Sequence, residues 1–267
     1  MLAAKNGRVI FPDTEMEYIR FGTGRKTLIM LPGLGDGLRS VKGLALPTAI
    51  LYRMYAKDYT VYMFSRNRDL KPGCTIRDMA RHVAEAMDTL GIGKAHILGV
   101  SMGGMIAQHL AADCPEKVDK LVLVVTAARR NPVLEDAVKL WMGQAKSGDH
   151  TALMDSNLRL IYSEGYYRRS RWMVPILGLT TKPKSYERFL IMAQACLDHD
   201  AYQRLSDIQS PTLVMGGEKD ETLGGDASRE IAKAIPGAVL RMFPKWGHGL
   251  YEEAPEFHSE VLDFLNR

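Results

Sequence analysis

Short, continuous apolar runs recur along the chain: Thr27-Leu28-Ile29-Met30-Leu31, Thr60-Val61-Tyr62-Met63-Phe64, Ala95-His96-Ile97-Leu98-Gly99 and Leu121-Val122-Leu123-Val124-Val125. Runs of this length predict strands buried on both faces, the habit of parallel sheets. Between the later runs the apolar spacing becomes helical. One such segment spans Thr75 to Leu90 and opens with a capping-box-like Thr75-x-x-Asp78; another spans Met102 to Ala112 and stops before Cys114-Pro115. Strands alternating with helices predict a parallel sheet covered by helices. The N-terminus differs: Arg8 to Phe11 and Glu15 to Phe21 flank a Pro12-Asp13 turn signal and predict an antiparallel hairpin at a sheet edge.

The strand–helix alternation breaks off after Val125 and resumes with a strand at Thr212-Leu213-Val214-Met215, a helix near Ser228 to Ala234, a strand at Val239 to Phe243 and a last helix over about Pro255 to Asn266. The interval lacks a strand pattern and holds helical ones at Leu134 to Ser147, Thr151 to Tyr162 and Tyr186 to Ala195. The chain is therefore expected to be α/β, with residues 1–127 and 208–267 forming a core and residues 128–207 inserted as a helical cap. A length of 267 residues suits one main domain with an insertion.

Composition narrows the classes of partner. Hydrophobic residues at 46% and charged residues at 25% are ordinary for a globular protein, and a net charge of +4 spread along the chain gives no basic tail for nucleic acid. No signal-peptide pattern and no membrane-length apolar stretch occurs, so a cytoplasmic location without membrane insertion is expected. Cys74, Cys114 and Cys196 are odd in number and unpaired by spacing, which predicts free thiols and no zinc site.

Gly99-Val100-Ser101-Met102-Gly103 fits G-x-S-x-G, with an apolar strand leading in and a helix leading out. A serine on so sharp a turn needs small neighbours, which Gly99, Gly103 and Gly104 supply. Serine is a weak nucleophile without a base, and the base needs an orienting acid. Of seven histidines, His82 and His109 fall in helices, His96 in a strand, His150 and His199 in the insert and His258 in the last helix. His248 alone sits in a glycine-flanked loop after the last strand, Lys245-Trp246-Gly247-His248-Gly249. The acid is expected after the preceding strand, in Gly216-Gly217-Glu218-Lys219-Asp220; Asp220 is chosen, with Glu218, Glu221 and Asp226 as competitors. Oxyanion stabilisation calls for backbone N–H groups, expected from Met102 and from Leu34 in Pro32-Gly33-Leu34-Gly35-Asp36-Gly37. That loop lacks the Lys-Ser/Thr ending of a phosphate-binding loop.

Taken together LPGLGDG, GVSMGG, GGEKD and WGHG resemble the oxyanion loop, nucleophile elbow, acid loop and histidine loop of the α/β-hydrolase superfamily, from about Thr27 to the C-terminus, with Pro32 where many members have histidine. The resemblance implies a cofactor-free, metal-free enzyme that hydrolyses esters, amides or thioesters of a small acyl substrate through an acyl-enzyme on Ser101. A carbon–carbon lyase, a haloperoxidase-like enzyme using the same residues, and a non-enzymatic small-molecule receptor remain as alternatives. In the insert, Tyr166-Tyr167-Arg168-Arg169-Ser170-Arg171-Trp172 reads as solvated surface, with contact to a carboxylate or phosphate as the alternative.

Overall fold

The structure, a computed structural model, describes residues 2–267. Eight strands form one sheet in the order β1-β2-β4-β3-β5-β6-β7-β8. β1 (Lys5–Ile10) and β2 (Glu15–Phe21) form the expected antiparallel hairpin at one edge. β2 also pairs antiparallel with β4 (Tyr59–Asn67); every later pairing, among β3 (Lys26–Leu31), β4, β5 (Ala95–Val100), β6 (Val118–Val124), β7 (Thr212–Gly217) and β8 (Val239–Phe243), is parallel.

The continuous apolar runs are explained by burial on two faces. Ile29, Leu31, Ile97, Leu121 and Leu123 face one core with α2 (Ile76–Thr89) and α3 (Met102–Asp113). Leu28, Met30, Leu98, Val122 and Val124 face the other, with α1 (Ala45–Leu51) and, at the C-terminus, α11 (Phe257–Asn266), which follows the short α10 (Leu250–Glu253). Thr75 caps α2 through a reciprocal pair of bonds, Asp78 N to Thr75 Oγ1 at 3.1 Å and Thr75 N to Asp78 Oδ2 at 3.0 Å.

Between β6 and β7 the chain forms α4 (Pro132–Ser147), α5 (His150–Ile161), α6 (Glu164–Ser170), α7 (Val174–Thr180) and α8 (Glu187–Leu197), and α9 (Gly225–Ala234) follows β7. Leu134 and Trp141 of α4 and Phe189 and Met192 of α8 join the α2/α3 core, so these helices share the buried apolar interior of the sheet layer. The two ends of the helical segment meet where Ala201 N donates to Ala128 O at 2.8 Å. Among the described residues no helix is long and apolar enough to cross a membrane.

Three local differences have physical causes. β4 runs three residues beyond its apolar run, through the buried polar residues Ser65, Arg66 and Asn67, where the Ser65 hydroxyl and the Arg66 amide bond the Asp36 carboxylate. α1 carries exposed Leu46, Ile50 and Leu51, so it lacks an amphipathic pattern. β6 stops at Val124 because Val125 turns to φ 40°.

Candidate active site

The registers bring the carboxyl ends of the parallel strands to one edge: Leu31 pairs with Gly99, Val100 with Val124, Val124 with Met215, and Gly217 with Phe243. The loops that leave this edge carry Leu34, Ser101, Asp220 and His248.

Ser101 joins β5 to α3 with φ 54° and ψ −122°, a conformation that L-residues rarely adopt. Its backbone is held from several sides. Ser101 N donates to Val124 O at 2.9 Å, and its carbonyl accepts from Gly104 N at 2.8 Å and Thr126 Oγ1 at 2.8 Å. A Cβ at Gly103 would fall 1.9 Å from Leu31 O, and one at Gly99 2.5 Å from Gly103 O, so only glycine lets strand, turn and helix approach this closely. Thr126 and the strained Val125 belong to the support of the turn, and sequence reasoning missed both. Val125 reads as a fifth strand residue, and nothing local in the sequence marks its turn.

Gly33 lies over the serine: a Cβ there would be 3.3 Å from Ser101 Cβ and 3.7 Å from Oγ. Leu34 opens a 3-10 turn, Leu34–Gly37, and Met102 opens α3. First-turn N–H groups have no partner within their own helix, and the positive end of a helix dipole lies there.

Asp220 and His248 are brought together. His248 Nδ1 donates to Asp220 Oδ2 at 2.9 Å, with the His248 and Asp220 side chains 4% and 3% exposed. The second carboxylate oxygen accepts from Thr222 N at 2.8 Å and Leu223 N at 2.9 Å, which fixes the acid's orientation. A carboxylate only accepts, so the imidazole hydrogen sits on Nδ1 and leaves the Nε2 lone pair free to take a proton. The loops themselves are cross-braced by Glu218 N to Phe243 O and Lys219 N to Trp246 O, both 3.1 Å. The competing acids lie elsewhere: Glu218 and Asp226 pair with Arg229, and Glu221 is exposed. Other histidines have other neighbours, among them Asp119 beside His96, Tyr55 beside His258, and the buried His109–His199 pair at 5.3 Å between ring centroids.

The α5–α6 junction is laid on these loops. Leu160 O accepts from Thr222 Oγ1 at 3.1 Å, and Ile161 O accepts from Gly249 N, next to His248, at 2.6 Å. Ser163 donates through N and Oγ to Glu253 at 2.9 and 2.6 Å, and Tyr162 OH to Glu252 at 2.7 Å. Beside Gly33 and Val100 lies a cavity of about 280 Å³, walled by Tyr52, Tyr55, Met63, Tyr251 and Phe257 with Glu252 among the lining groups and, among the described residues, no lysine or arginine. The Tyr166-to-Trp172 cluster is an exterior feature: Arg168 pairs with Glu164, Arg169 lies over Tyr166, and Trp172 is 67% exposed. Among the described residues no cluster of His, Cys, Asp and Glu has the form of a metal site.

Comparison with known proteins agrees with this architecture. A 2-hydroxy-6-oxononadienedioate/2-hydroxy-6-oxononatrienedioate hydrolase of Burkholderia vietnamiensis (strain G4 / LMG 22486) is 28% identical, covering 99% of this chain and 96% of its own. The crystal structure of MGS-M2, an α/β hydrolase enzyme from a Medee basin deep-sea metagenome library, superposes with a TM-score of 0.84 at 22% identity over 98% of both chains. The enol-lactonase from Burkholderia xenovorans LB400 superposes with a TM-score of 0.81 at 24% identity over 98% of this chain and 100% of its own. The model of the α/β hydrolase fold matches residues 26–255, and the chain belongs to the α/β-hydrolase family.

Proposed function

We propose that this hydrolase cleaves a carboxylic ester or related small acyl compound through an acyl-enzyme on Ser101, with His248 as general base, Asp220 as its orienting acid, and the Leu34 and Met102 amides holding the oxyanion. Residues 128–207 act as a cap over residues 1–127 and 208–267. The observation that carries the proposal is the strained Ser101 turn at the same sheet edge as the buried His248–Asp220 pair.

In the first half-reaction Ser101 Oγ bonds to the acyl carbon while His248 Nε2 takes the hydroxyl proton. The carbonyl electrons move onto oxygen, where the two amides stabilise the charge. Collapse expels the alcohol, which takes the proton from His248. Water then repeats the sequence, with His248 as base, and releases the acid. The imidazolium formed in each step is stabilised by the Asp220 carboxylate across the 2.9 Å bond.

A second reading rests on the Burkholderia vietnamiensis relative, whose name specifies an oxo-dienedioate. The same attack at a ketone would break a carbon–carbon bond. Such a substrate carries two carboxylates, which the neutral esters of the first reading lack.

Turnover of p-nitrophenyl acetate, of longer-acyl homologues and of a 2-hydroxy-6-oxo-dienoate, with product analysis, separates the readings. Ester turnover that disappears in Ser101→Ala, together with stoichiometric fluorophosphonate labelling of Ser101, is expected. Ester turnover undiminished in Ser101→Ala would overturn the proposal, and preferential cleavage of the dienoate would establish the second reading.

A further inference from the structure

The loop Pro32–Gly37 contains three glycines, so it has little stiffness of its own, yet its geometry decides where the Leu34 N–H points. A part-buried guanidinium braces it. Arg188, on α8 of the inserted segment, donates from Nη2 to Asp36 Oδ2 at 2.6 Å and from Nη1 to the Asp36 carbonyl. The same side chain reaches the end of β4, donating from Nε to Asn67 O at 3.0 Å and from Nη2 to Arg66 O at 2.9 Å. One planar group thus spans the loop after β3 and the strand beside it, a bridge that its fixed fork of donors permits.

Asp36 is equally committed. Its side chain is 1% exposed, and besides Arg188 it accepts from Ser65 Oγ at 2.6 Å and Arg66 N at 2.8 Å. Arg66 Nη2 donates to Pro32 O at 3.0 Å and holds the other end of the loop. The 3-10 turn between these anchors is closed by Asp36 N to Gly33 O at 3.2 Å, with Leu34 inside it. α8 also presses on the turn directly: a Cβ at Gly37 would lie 2.8 Å from Phe189 Cα, leaving no space for any other residue.

We infer that Arg188 is a positioning residue for the oxyanion loop, so that the inserted helices complete the catalytic geometry as well as cover it. The inference rests on the reading that Leu34 N–H stabilises the oxyanion. Removing the guanidinium leaves a buried carboxylate short of its cationic partner and frees the glycine-rich turn to move. Displacing an oxyanion donor weakens transition-state binding while leaving ground-state binding nearly intact.

The test compares Arg188→Met, Arg188→Lys and Asp36→Asn with the parent chain. In Arg188→Met, kcat for p-nitrophenyl acetate is expected to fall about 10–100-fold with KM changed less than about twofold. Affinity for phenylboronic acid, which forms a tetrahedral adduct on the serine, falls in parallel. Arg188→Lys restores the charge but cannot bridge all three carbonyls, so it falls between; Asp36→Asn repeats the pattern should Arg188→Met fail to fold. Hydrogen exchange in the peptide covering residues 32–38 is expected to rise while exchange in β5 stays constant. Unchanged exchange there, or a loss confined to KM, would overturn the inference. If the parent shows no Ser101-dependent turnover, the acyl-transfer reading fails, and the exchange measurement still decides whether Arg188 holds the loop.

Discussion

Replacing Ser101 by glycine is expected to stabilise the protein while abolishing its chemistry. At φ 54° and ψ −122° the residue lies outside even the left-handed helical basin, a placement that costs about 1–3 kcal/mol in a residue with a Cβ. The conformation is imposed by the bonds to Val124, Gly104 and Thr126, and none of these uses the serine side chain. Serine at an ordinary helix N-cap would lose a cap bond on truncation, but Ser101 makes no side-chain cap bond. Glycine removes the steric strain and gives back about 0.5–1 kcal/mol through the entropy of its unfolded state. The net expectation is a gain of about 1 kcal/mol over the parent chain, or about 2–4 °C in Tm for a chain of this size. Ser101→Ala, which keeps the Cβ and therefore the strain, is expected to match the parent within about 0.5 kcal/mol. Urea unfolding followed by tryptophan fluorescence, with m unchanged, measures all three. A glycine variant no more stable than the parent would refute the argument that strain is stored at the elbow.

Other expectations follow from the same geometry. Asp220→Asn is expected to lower kcat by about 10⁴-fold with little change in KM, since the amide misorients the imidazole; a loss below about tenfold in steady-state kinetics would contradict the pairing with His248. Gly103→Ala sets a Cβ 1.9 Å from Leu31 O, against about 3.4 Å for ordinary contact, and is expected to destabilise by about 3 kcal/mol or more in urea unfolding. Burial holds the His199 imidazole down to about 3, so between that pH and about 6.5 the unfolded chain binds a proton that the folded chain refuses. Its contribution to stability is complete above about pH 6.5 and is lost as pH falls towards 3, at about 1.4 kcal/mol per unit. His199→Leu should flatten the stability–pH slope by about that amount, and an unchanged slope in unfolding at pH 4–6.5 would contradict it.

What could be read from the sequence was what local chemistry dictates. Strands β3, β5 and β6 were legible because burial on two faces demands apolar side chains at successive positions, and the Ser101 turn because its close approaches demand glycines at 99, 103 and 104. Asp220 was harder, since four acids crowd that stretch; its bond to His248 and the amides of Thr222 and Leu223, which hold its second oxygen, distinguish it structurally. Val125 and Thr126 were beyond reach because a strained φ in an apolar run leaves no trace in residue type.

Arg188 marks the other limit. In Tyr186 to Ala195 it reads as an ordinary arginine on a helix, and Ser65-Arg66-Asn67 reads as the polar end of a strand. Each gains meaning only through the other, because a part-buried guanidinium seeks acceptors and a buried carboxylate requires donors. Those partners lie 152 residues apart between Asp36 and Arg188 and 122 between Arg66 and Arg188. The elbow motif therefore specifies that a serine is presented, whereas the loop above it is bonded by Arg188 of α8 at one end and Arg66 of β4 at the other. Substitutions at position 188 should accordingly change the efficiency of the chemistry more than its identity.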